Sequence, residues 1–252
     1  MSKPRQLIAA VDMGSSSFRM IVARVEELNG QSQIYIIDTL REPVRLGAGL
    51  NAQKCLDEDS QERALGALSR FGERLRSFKP GEVRAVATNA VRVARNAAEF
   101  IAKAEAALGF PIDVISGVEE ARLVYCGVAH QLPIGQGKRL VVDIGGGSTE
   151  FIIGEDYEPE AMESLYIGCV STAQQYFTDG SISPRAMKNA IMAARKEVAV
   201  LRRQMLDMGW THAIGSSGTA RALAEICISN GFTQHGMSAE GLRLIREHVT
   251  AA

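Results

Sequence analysis

The sequence predicts an α/β protein of two similar domains, because one loop motif occurs twice between strand-like runs. Ala10–Ser17 reads Ala-Val-Asp-Met-Gly-Ser-Ser-Ser, and Val141–Ser148 reads Val-Val-Asp-Ile-Gly-Gly-Gly-Ser. The aspartates of the two copies lie 131 residues apart, which is the length of an ordinary domain. A chain of 252 residues is long enough for two such domains, each with its own hydrophobic core.

The first half of the chain predicts the element order βββαβαβα. Strands are expected at 7–11, 18–25, 33–40, 83–87 and 112–115, and helices at 59–78, 97–108 and 117–130. Asn29-Gly30, between the second and third strands, is a strong hairpin signal. For the second helix we expect Asn96 as the N-cap, Glu99 completing a capping box, and Gly109 as the stop.

The second half repeats this order but stops earlier. Strands are expected at 139–144, 149–154, 161–167 and 211–214, and helices at 184–208, 218–229 and 239–249. Pro184 suits a first helical turn, and Gly209 suits a helix stop. By the pattern of the first half, a closing strand and helix are missing, and truncation of the second domain is the preferred interpretation. We expect the domains at residues 1–130 and 131–252.

Composition and charge exclude several classes of protein and of binding site. The hydrophobic content of 46% and the charged content of 23% are typical of a globular protein with a core. The sequence shows neither an apolar run of about 18 residues nor a signal-peptide pattern, so we expect a cytoplasmic protein without a transmembrane segment. The four histidines lack zinc-ligand spacing. With a net charge of −1, a polyanion must be held by a local patch, and no nucleic-acid partner is expected.

The two repeated loops predict phosphate binding. Turns rich in glycine and serine leave several backbone N–H groups pointing the same way, which makes a cradle for anionic oxygens. A plain hairpin turn explains one such loop equally well, but it explains a domain-length repeat poorly. The cradle residues are Gly14, Ser15, Ser16 and Ser17 in the first copy and Gly145, Gly146, Gly147 and Ser148 in the second. Asp12 stands before the first cradle and is expected to bind substrate with it.

Asp143 and Glu150 are candidate metal ligands. They are seven residues apart on a strand–turn–strand, so a hairpin would bring both carboxylates toward one point beside the loop. Carboxylate oxygens suit Mg²⁺, which takes one or two of them together with waters and phosphate oxygens. The alternative is that Glu150 is a solvated strand residue.

Four further segments carry candidate site residues. Arg92, with Asn89 before it, follows a strand end and offers a bidentate phosphate clamp, although a surface arginine is the alternative. Arg19 follows the first loop, on a strand face that alternation does not decide. Gly215, Ser216 and Ser217 join a strand to a helix and suit either anion binding or a plain helix cap. Glu119 and Glu120 begin a helix, where acids commonly only complement the helix dipole.

Taken together, these motifs resemble a known family. Duplicated βββαβαβα halves with Asp-x-Gly loops resemble the actin, sugar-kinase and Hsp70-type ATPase superfamily, and within it the exopolyphosphatase and guanosine pentaphosphate phosphatase family. The resemblance covers essentially the whole chain. The most specific segments are Val11–Arg19, Ala87–Arg92, Ile115–Leu123, Asp143–Glu150 and Gly215–Thr219. Any one of them is weak evidence, whereas five in this order make coincidence very improbable.

The resemblance implies two actin-like (ribonuclease H-like) domains that face each other across a cleft. It also implies Mg²⁺ or another divalent cation, Glu120 as the general base, Arg92 as a second catalytic residue, and a homodimer. The implied substrates are inorganic polyphosphate and guanosine pentaphosphate, which the shared loops cannot distinguish because both end in a phosphoanhydride. Exopolyphosphatase-type hydrolysis is therefore the leading hypothesis. The alternatives are an ATP-dependent phosphotransferase of the sugar-kinase kind and a non-catalytic sensor of polyphosphate or guanosine alarmones.

Overall fold

The computed structural model describes residues 6–28 and 31–251, and its contacts divide the chain into two compact units. The first unit runs to Ser116, and the second begins at Gly117. The sequence suggested a border near residue 130 instead. The helix Gly117–Ala129 accounts for the difference, because it packs against strands of the second unit. Glu120 therefore lies in the same unit as Asp143 and Glu150.

The first unit has the predicted βββαβαβ order with one additional short helix. Its elements are β1 (Gln6–Met13), β2 (Phe18–Leu28), β3 (Gln31–Glu42), α1 (Glu58–Leu75), β4 (Val83–Ala87), α2 (Asn89–Val93), α3 (Ala97–Leu108) and β5 (Ile112–Val114). The sheet order is β3-β2-β1-β4-β5. β1, β2 and β3 are antiparallel, whereas β1, β4 and β5 are parallel. The expected Asn29-Gly30 turn lies outside the described residues.

Alternating side chains of this sheet build the core of the first unit. Val11 and Met13 of β1 are buried together with Phe18 and Met20 of β2, and they pack with the apolar faces of α1 and α3. The residues between them, such as Asp12, are exposed on the other side of the strands. This period of two follows from the pleat of a β-strand, and it places polar side chains on the face opposite the core, next to the first loop.

The helix α3 begins and ends where expected, but its predicted capping box is wrong. The side chain of Asn96 makes no cap hydrogen bond; it accepts one from the backbone N–H of Leu56 and donates one to its carbonyl, at 2.9 and 3.0 Å. Glu99 forms an ion pair with Lys103 at 2.7 Å. Asn96 therefore fastens a distant loop instead of the helix end. Gly109, with φ of 81°, ends the helix as predicted.

The second unit repeats the strand order of the first. Its elements are α4 (Gly117–Ala129), β6 (Arg139–Ile144), β7 (Thr149–Glu155), β8 (Glu158–Leu165), α5 (Cys169–Tyr176), α6 (Pro184–Met208), β9 (His212–Gly215), α7 (Gly218–Ser229) and α8 (Ala239–Ala251). The sheet order is β8-β7-β6-β9, with β6 and β9 parallel and the other pairs antiparallel. This order matches β3-β2-β1-β4 of the first unit, which confirms the predicted repeat.

Both faces of the second sheet are covered. Tyr125 of α4 packs with Val141 and Ile152 on one face, whereas Leu201 and Met205 of α6 pack on the other. The short helix α5 was not expected from the sequence, and β8 lies slightly before its expected position. Within the described part of the chain, no helix is long and apolar enough to cross a membrane.

Candidate active site

The first loop connects β1 to β2 and is surrounded by polar side chains. The register pairs Asp12 directly with Arg19, and both residues are exposed. Because Phe18 and Met20 are buried on either side of Arg19, its side chain lies on the solvent face of the sheet, a point that the sequence left open. Gly14–Ser17 lies at the end of this strand pair, as predicted.

Arg41 is a candidate site residue that sequence analysis missed. The β2–β3 register places it beside Arg19, and its Nε donates to the hydroxyl of Ser17 at 3.2 Å. The signal for Arg41 is the pairing register alone, because it lies 24 residues from Ser17 in a strand without a motif. Two guanidinium groups therefore lie on the solvent face beside the first loop.

Asn89 and Arg92 lie on α2, which follows the parallel strand β4. The backbone N–H of Thr88 donates to the carbonyl of Met13 at 3.4 Å, so α2 begins next to the start of the loop. Asn89 is only 6% exposed, and its Oδ1 accepts no hydrogen bond from the described residues. Arg92 is half-buried, and its Nη1 donates to the carbonyl of Ile115 at 2.9 Å. Arg92 is thus not a fully solvated surface arginine, and its role as a phosphate clamp stays a prediction.

The second loop places Asp143 opposite Glu150. The two are direct partners in the β6–β7 register, so both carboxylates lie on one side of the hairpin next to Gly145–Ser148. Glu150 is 1% exposed, which rules out a solvated strand residue. The hydroxyl of Ser164 donates to Oε1 of Glu150 at 2.8 Å, and that of Ser216 donates to Oδ2 of Asp143 at 2.6 Å.

Burial raises the pKa values of both carboxyl groups. For Asp143, burial raises the pKa, and the hydrogen bond from Ser216 partly opposes this. For Glu150, burial and then the charge of Glu120 raise the pKa from 4.5 to about 7, against the hydroxyls of Ser164 and Ser148. No lysine or arginine among the described residues forms an ion pair with Asp143 or Glu150. The site therefore gathers negative charge without a protein cation.

The donor set fits one hard divalent cation. The described residues include no group of three or more histidine, cysteine, aspartate or glutamate side chains arranged as a metal site. Mg²⁺ does not require one, since it usually keeps several waters and takes one or two carboxylates together with phosphate oxygens. The paired carboxylates of half-buried Asp143 and buried Glu150 match that requirement, and a bound cation would favour their ionised forms.

The two acids at the start of α4 have different surroundings. Glu119 forms two hydrogen bonds with the guanidinium of Arg122, at 2.8 and 2.7 Å, and this partner lowers the pKa of Glu119. Glu120 is half-buried, and its charge acts on Glu150. Of the two acids, Glu120 is therefore the one whose charge raises the pKa of Glu150 at the candidate site. The role of general base, which the family resemblance implied for Glu120, stays a prediction.

In the segment Gly215–Ser217, Ser217 has a structural role and Ser216 lies at the candidate site. The hydroxyl of Ser217 accepts hydrogen bonds from the N–H of Ala220 at 3.1 Å and of Ile144 at 3.2 Å, so Ser217 caps α7 and fastens it to the end of β6. Ser216 instead contacts Asp143. For Ser217 the structure favours the plain cap over anion binding, whereas Ser216 belongs to the candidate site.

Comparisons of the sequence and of the fold with known proteins indicate one family. The model of the Ppx/GppA phosphatase family matches residues 21–251. A guanosine-5'-triphosphate,3'-diphosphate pyrophosphatase of Vibrio cholerae is 44% identical over 228 residues, which are 90% of this chain and 45% of that protein. The chain thus spans about half the length of this relative.

Two solved structures share the fold. The Aquifex aeolicus PPX-GPPA enzyme has a TM-score of 0.70 at 30% identity, covering 90% of this chain and 72% of that one. An exopolyphosphatase from Cytophaga hutchinsonii has a TM-score of 0.82 at 26% identity, covering 98% of this chain and 80% of that one.

Proposed function

Since the chain belongs to the Ppx/GppA phosphatase family, we propose that it hydrolyses the terminal phosphoanhydride of inorganic polyphosphate, of guanosine pentaphosphate, or of both. The observation that carries this proposal is the pairing of half-buried Asp143 with buried Glu150 beside the glycine loop, with the charge of Glu120 acting on Glu150. The names of the relatives, one a guanosine-5'-triphosphate,3'-diphosphate pyrophosphatase and one an exopolyphosphatase, support both substrates.

In the second unit, Asp143 and Glu150 would hold Mg²⁺, with Ser216 and Ser164 fixing the orientation of their carboxylates. When bound, the cation would offset the negative charge of the phosphate oxygens. The backbone N–H groups of Gly146 and Gly147 bind the oxygens of the terminal phosphate. Fixed N–H dipoles stabilise charge that develops on these oxygens, and they need no reorganisation during the reaction.

Glu120 accepts a proton from the attacking water in this proposal. The water oxygen bonds to the terminal phosphorus as the anhydride P–O bond breaks, so orthophosphate forms and the shortened chain leaves with the bond's electron pair. Phosphoryl transfer depends mainly on positioning and electrostatics, and this set of groups supplies both. Glu119 is a poor candidate for the base because Arg122 already occupies its carboxylate.

In the first unit, the loop Gly14–Ser17 and the side chains of Arg19, Asn89 and Arg92 bind phosphate oxygens. A guanidinium offers planar, bidentate donors that match a phosphate group and offset its charge. Arg41 joins this set because it contacts Ser17 of the loop. Binding of one phosphate chain by both loops, homodimerisation and a cytoplasmic location stay predictions from the sequence.

The test is orthophosphate release from polyphosphate and from guanosine pentaphosphate, with and without Mg²⁺. Glu120→Gln should bind tripolyphosphate normally but lose turnover by about 10²–10⁴, the usual contribution of a general base. Glu119→Gln is the matched control, since it removes the adjacent carboxylate, and it should stay within a few-fold of the unchanged protein.

Three outcomes would contradict the proposal. Normal turnover by Glu120→Gln would exclude Glu120 as the base. Binding without any orthophosphate release by the unchanged protein would favour the sensor hypothesis. Formation of ADP from ATP only in the presence of a sugar would favour the phosphotransferase.

A further inference from the structure

In each unit, the segment that follows the third strand donates backbone hydrogen bonds to carbonyls of the glycine- or serine-rich loop. In the second unit, that segment begins at Gly168. The backbone N–H groups of Cys169 and Val170 donate to the carbonyls of Gly145 and Gly146, both at 2.9 Å. Ser171 adds a second donor to the carbonyl of Gly146 at 3.1 Å. The loop carbonyls therefore point toward the start of α5.

In the first unit, the segment after β3 makes the same kind of backbone hydrogen bond to the first loop. The N–H of Arg45 donates to the carbonyl of Ser16, and that of Gly47 donates to the carbonyl of Ser15, both at 2.8 Å. Arg45 adopts a left-handed backbone with φ of 53°, at the start of a 3₁₀ turn over Leu46–Gly49. Two unrelated sequences thus hold the two loops through the same kind of backbone contact.

These contacts determine which way the loop N–H groups point. A peptide unit is planar and trans, so a carbonyl that points backward turns the next N–H forward. Holding the carbonyls of Gly145 and Gly146 therefore turns the N–H groups of Gly146 and Gly147 away from α5. Among the described residues, neither of these N–H groups donates to a backbone carbonyl. Both remain available for an anion.

Gly168 makes this arrangement possible because it has no side chain. A Cβ at Gly168 would lie 2.4 Å from the carbonyl carbon and oxygen of Gly146 and from the nitrogen of Gly147. Its backbone is extended, with φ of −147°, so any residue could adopt its conformation, and only the available space requires glycine. At Gly47 the contact is looser, since a Cβ would lie 3.0 Å from the Cβ of Ser15.

We infer that Gly168 is a positioning residue for catalysis: its contact with Gly146 and Gly147 lets α5 hold the second loop with two N–H groups directed at the phosphate. Gly47 has the same positioning role for the first loop, with a looser contact. This inference rests on the proposed function of the loops as phosphate cradles. It adds residues outside the Asp-x-Gly motifs to the set that determines substrate affinity.

The test is Gly168→Ala, with Gly127→Ala as the matched control. Ordinary contact begins near 3.4 Å, so an added methyl group must move the loop by about 1 Å, and a misplacement of that size can lower the rate by about 10²-fold. We expect kcat/KM for orthophosphate release to fall by about 10²-fold and tripolyphosphate binding, measured by calorimetry, to weaken at least tenfold. A Cβ at Gly127 meets nothing within 4 Å, so its variant should match the unchanged protein.

Two further variants keep the test decisive if Gly168→Ala does not fold. Ser171→Ala removes the hydroxyl that bonds the backbone of Gly168, at 3.2 Å, and adds no bulk. We expect it to weaken tripolyphosphate binding several-fold with an unchanged midpoint of thermal unfolding. Gly47→Ala should weaken binding less than Gly168→Ala, because its nearest contact is 3.0 Å whereas those at Gly168 are 2.4 Å.

The outcomes separate this inference from the proposed function. If the unchanged protein neither binds tripolyphosphate nor releases orthophosphate, the proposed function fails. If it does both, and Gly168→Ala and Ser171→Ala behave like Gly127→Ala, only the positioning role of Gly168 is refuted. A lower unfolding midpoint in Gly168→Ala with unchanged tripolyphosphate affinity would also refute it, because the role would then be merely structural.

Discussion

Replacing Glu150 with glutamine should make the metal-free protein more stable at high pH. Glu150 is 1% exposed, and burial together with the charge of Glu120 raises its pKa from 4.5 to about 7. The folded protein therefore holds this proton more tightly than the unfolded chain does. The resulting stability is fully present below pH 4.5 and is lost as the pH rises through 7. Glutamine keeps the shape of the side chain and removes the ionisation.

The size of the effect follows from the two pKa values. Each pH unit between 4.5 and 7 lowers the free energy of unfolding by about 1.4 kcal/mol. The loss reaches about 3 kcal/mol at pH 8 and only about 1 kcal/mol at pH 5. Glu150→Gln should therefore gain about 3 kcal/mol over the unchanged protein at pH 8, in the presence of a chelator, and about 1 kcal/mol at pH 5.

The assay is urea unfolding at pH 5 and pH 8 with EDTA, followed by the fluorescence of Trp210. This is the single tryptophan of the chain, and it lies in the second unit. Glu155→Gln, on the same strand but exposed, is the control and should follow the unchanged protein. Adding Mg²⁺ at pH 8 should stabilise the unchanged protein and leave Glu150→Gln unaffected. An equal gain at both pH values, or none at pH 8, would refute the argument.

Two other substitutions test the rest of the site. Arg92→Lys keeps the charge but loses the planar guanidinium and its hydrogen bond to the carbonyl of Ile115. The kcat/KM for orthophosphate release should therefore fall by about 10- to 100-fold. An unchanged kcat/KM would exclude contact between Arg92 and the substrate. Ser216→Ala removes the 2.6 Å hydrogen bond that orients Asp143, and the Mg²⁺ concentration for half-maximal activity should rise by about 10- to 100-fold. An unchanged Mg²⁺ dependence would show that the hydroxyl of Ser216 does not orient a ligand of the cation.

The sequence predicted the features that depend on local pattern. Alternation located the strands around both loops, and the repeated Asp-x-Gly motif predicted the duplicated order. Gly109 ends α3 as expected because only its own φ of 81° is involved. The pairing of Asp143 with Glu150 was also predictable, since a short turn fixes the register of a hairpin.

Features that depend on distant partners were not predictable. Asn96 has the sequence of an N-cap, but Leu56 offers its side chain two backbone bonds from 40 residues away. Arg41 is recognisable only once the β2–β3 register is known, and Gly168 only once α5 is seen against the second loop. The helices α2 and α5 are too short to show a reliable hydrophobic period.

The left-handed backbone of Arg45 has a consequence for engineering. A non-glycine residue in this region is strained by roughly 1–2 kcal/mol, so a stability-guided search would favour glycine there. Such a substitution would relieve the strain but would also let the turn sample other shapes, in the segment that holds Ser16. Selection for heat tolerance alone would therefore tend to erode affinity for phosphate chains, and screening for both properties together is the better design.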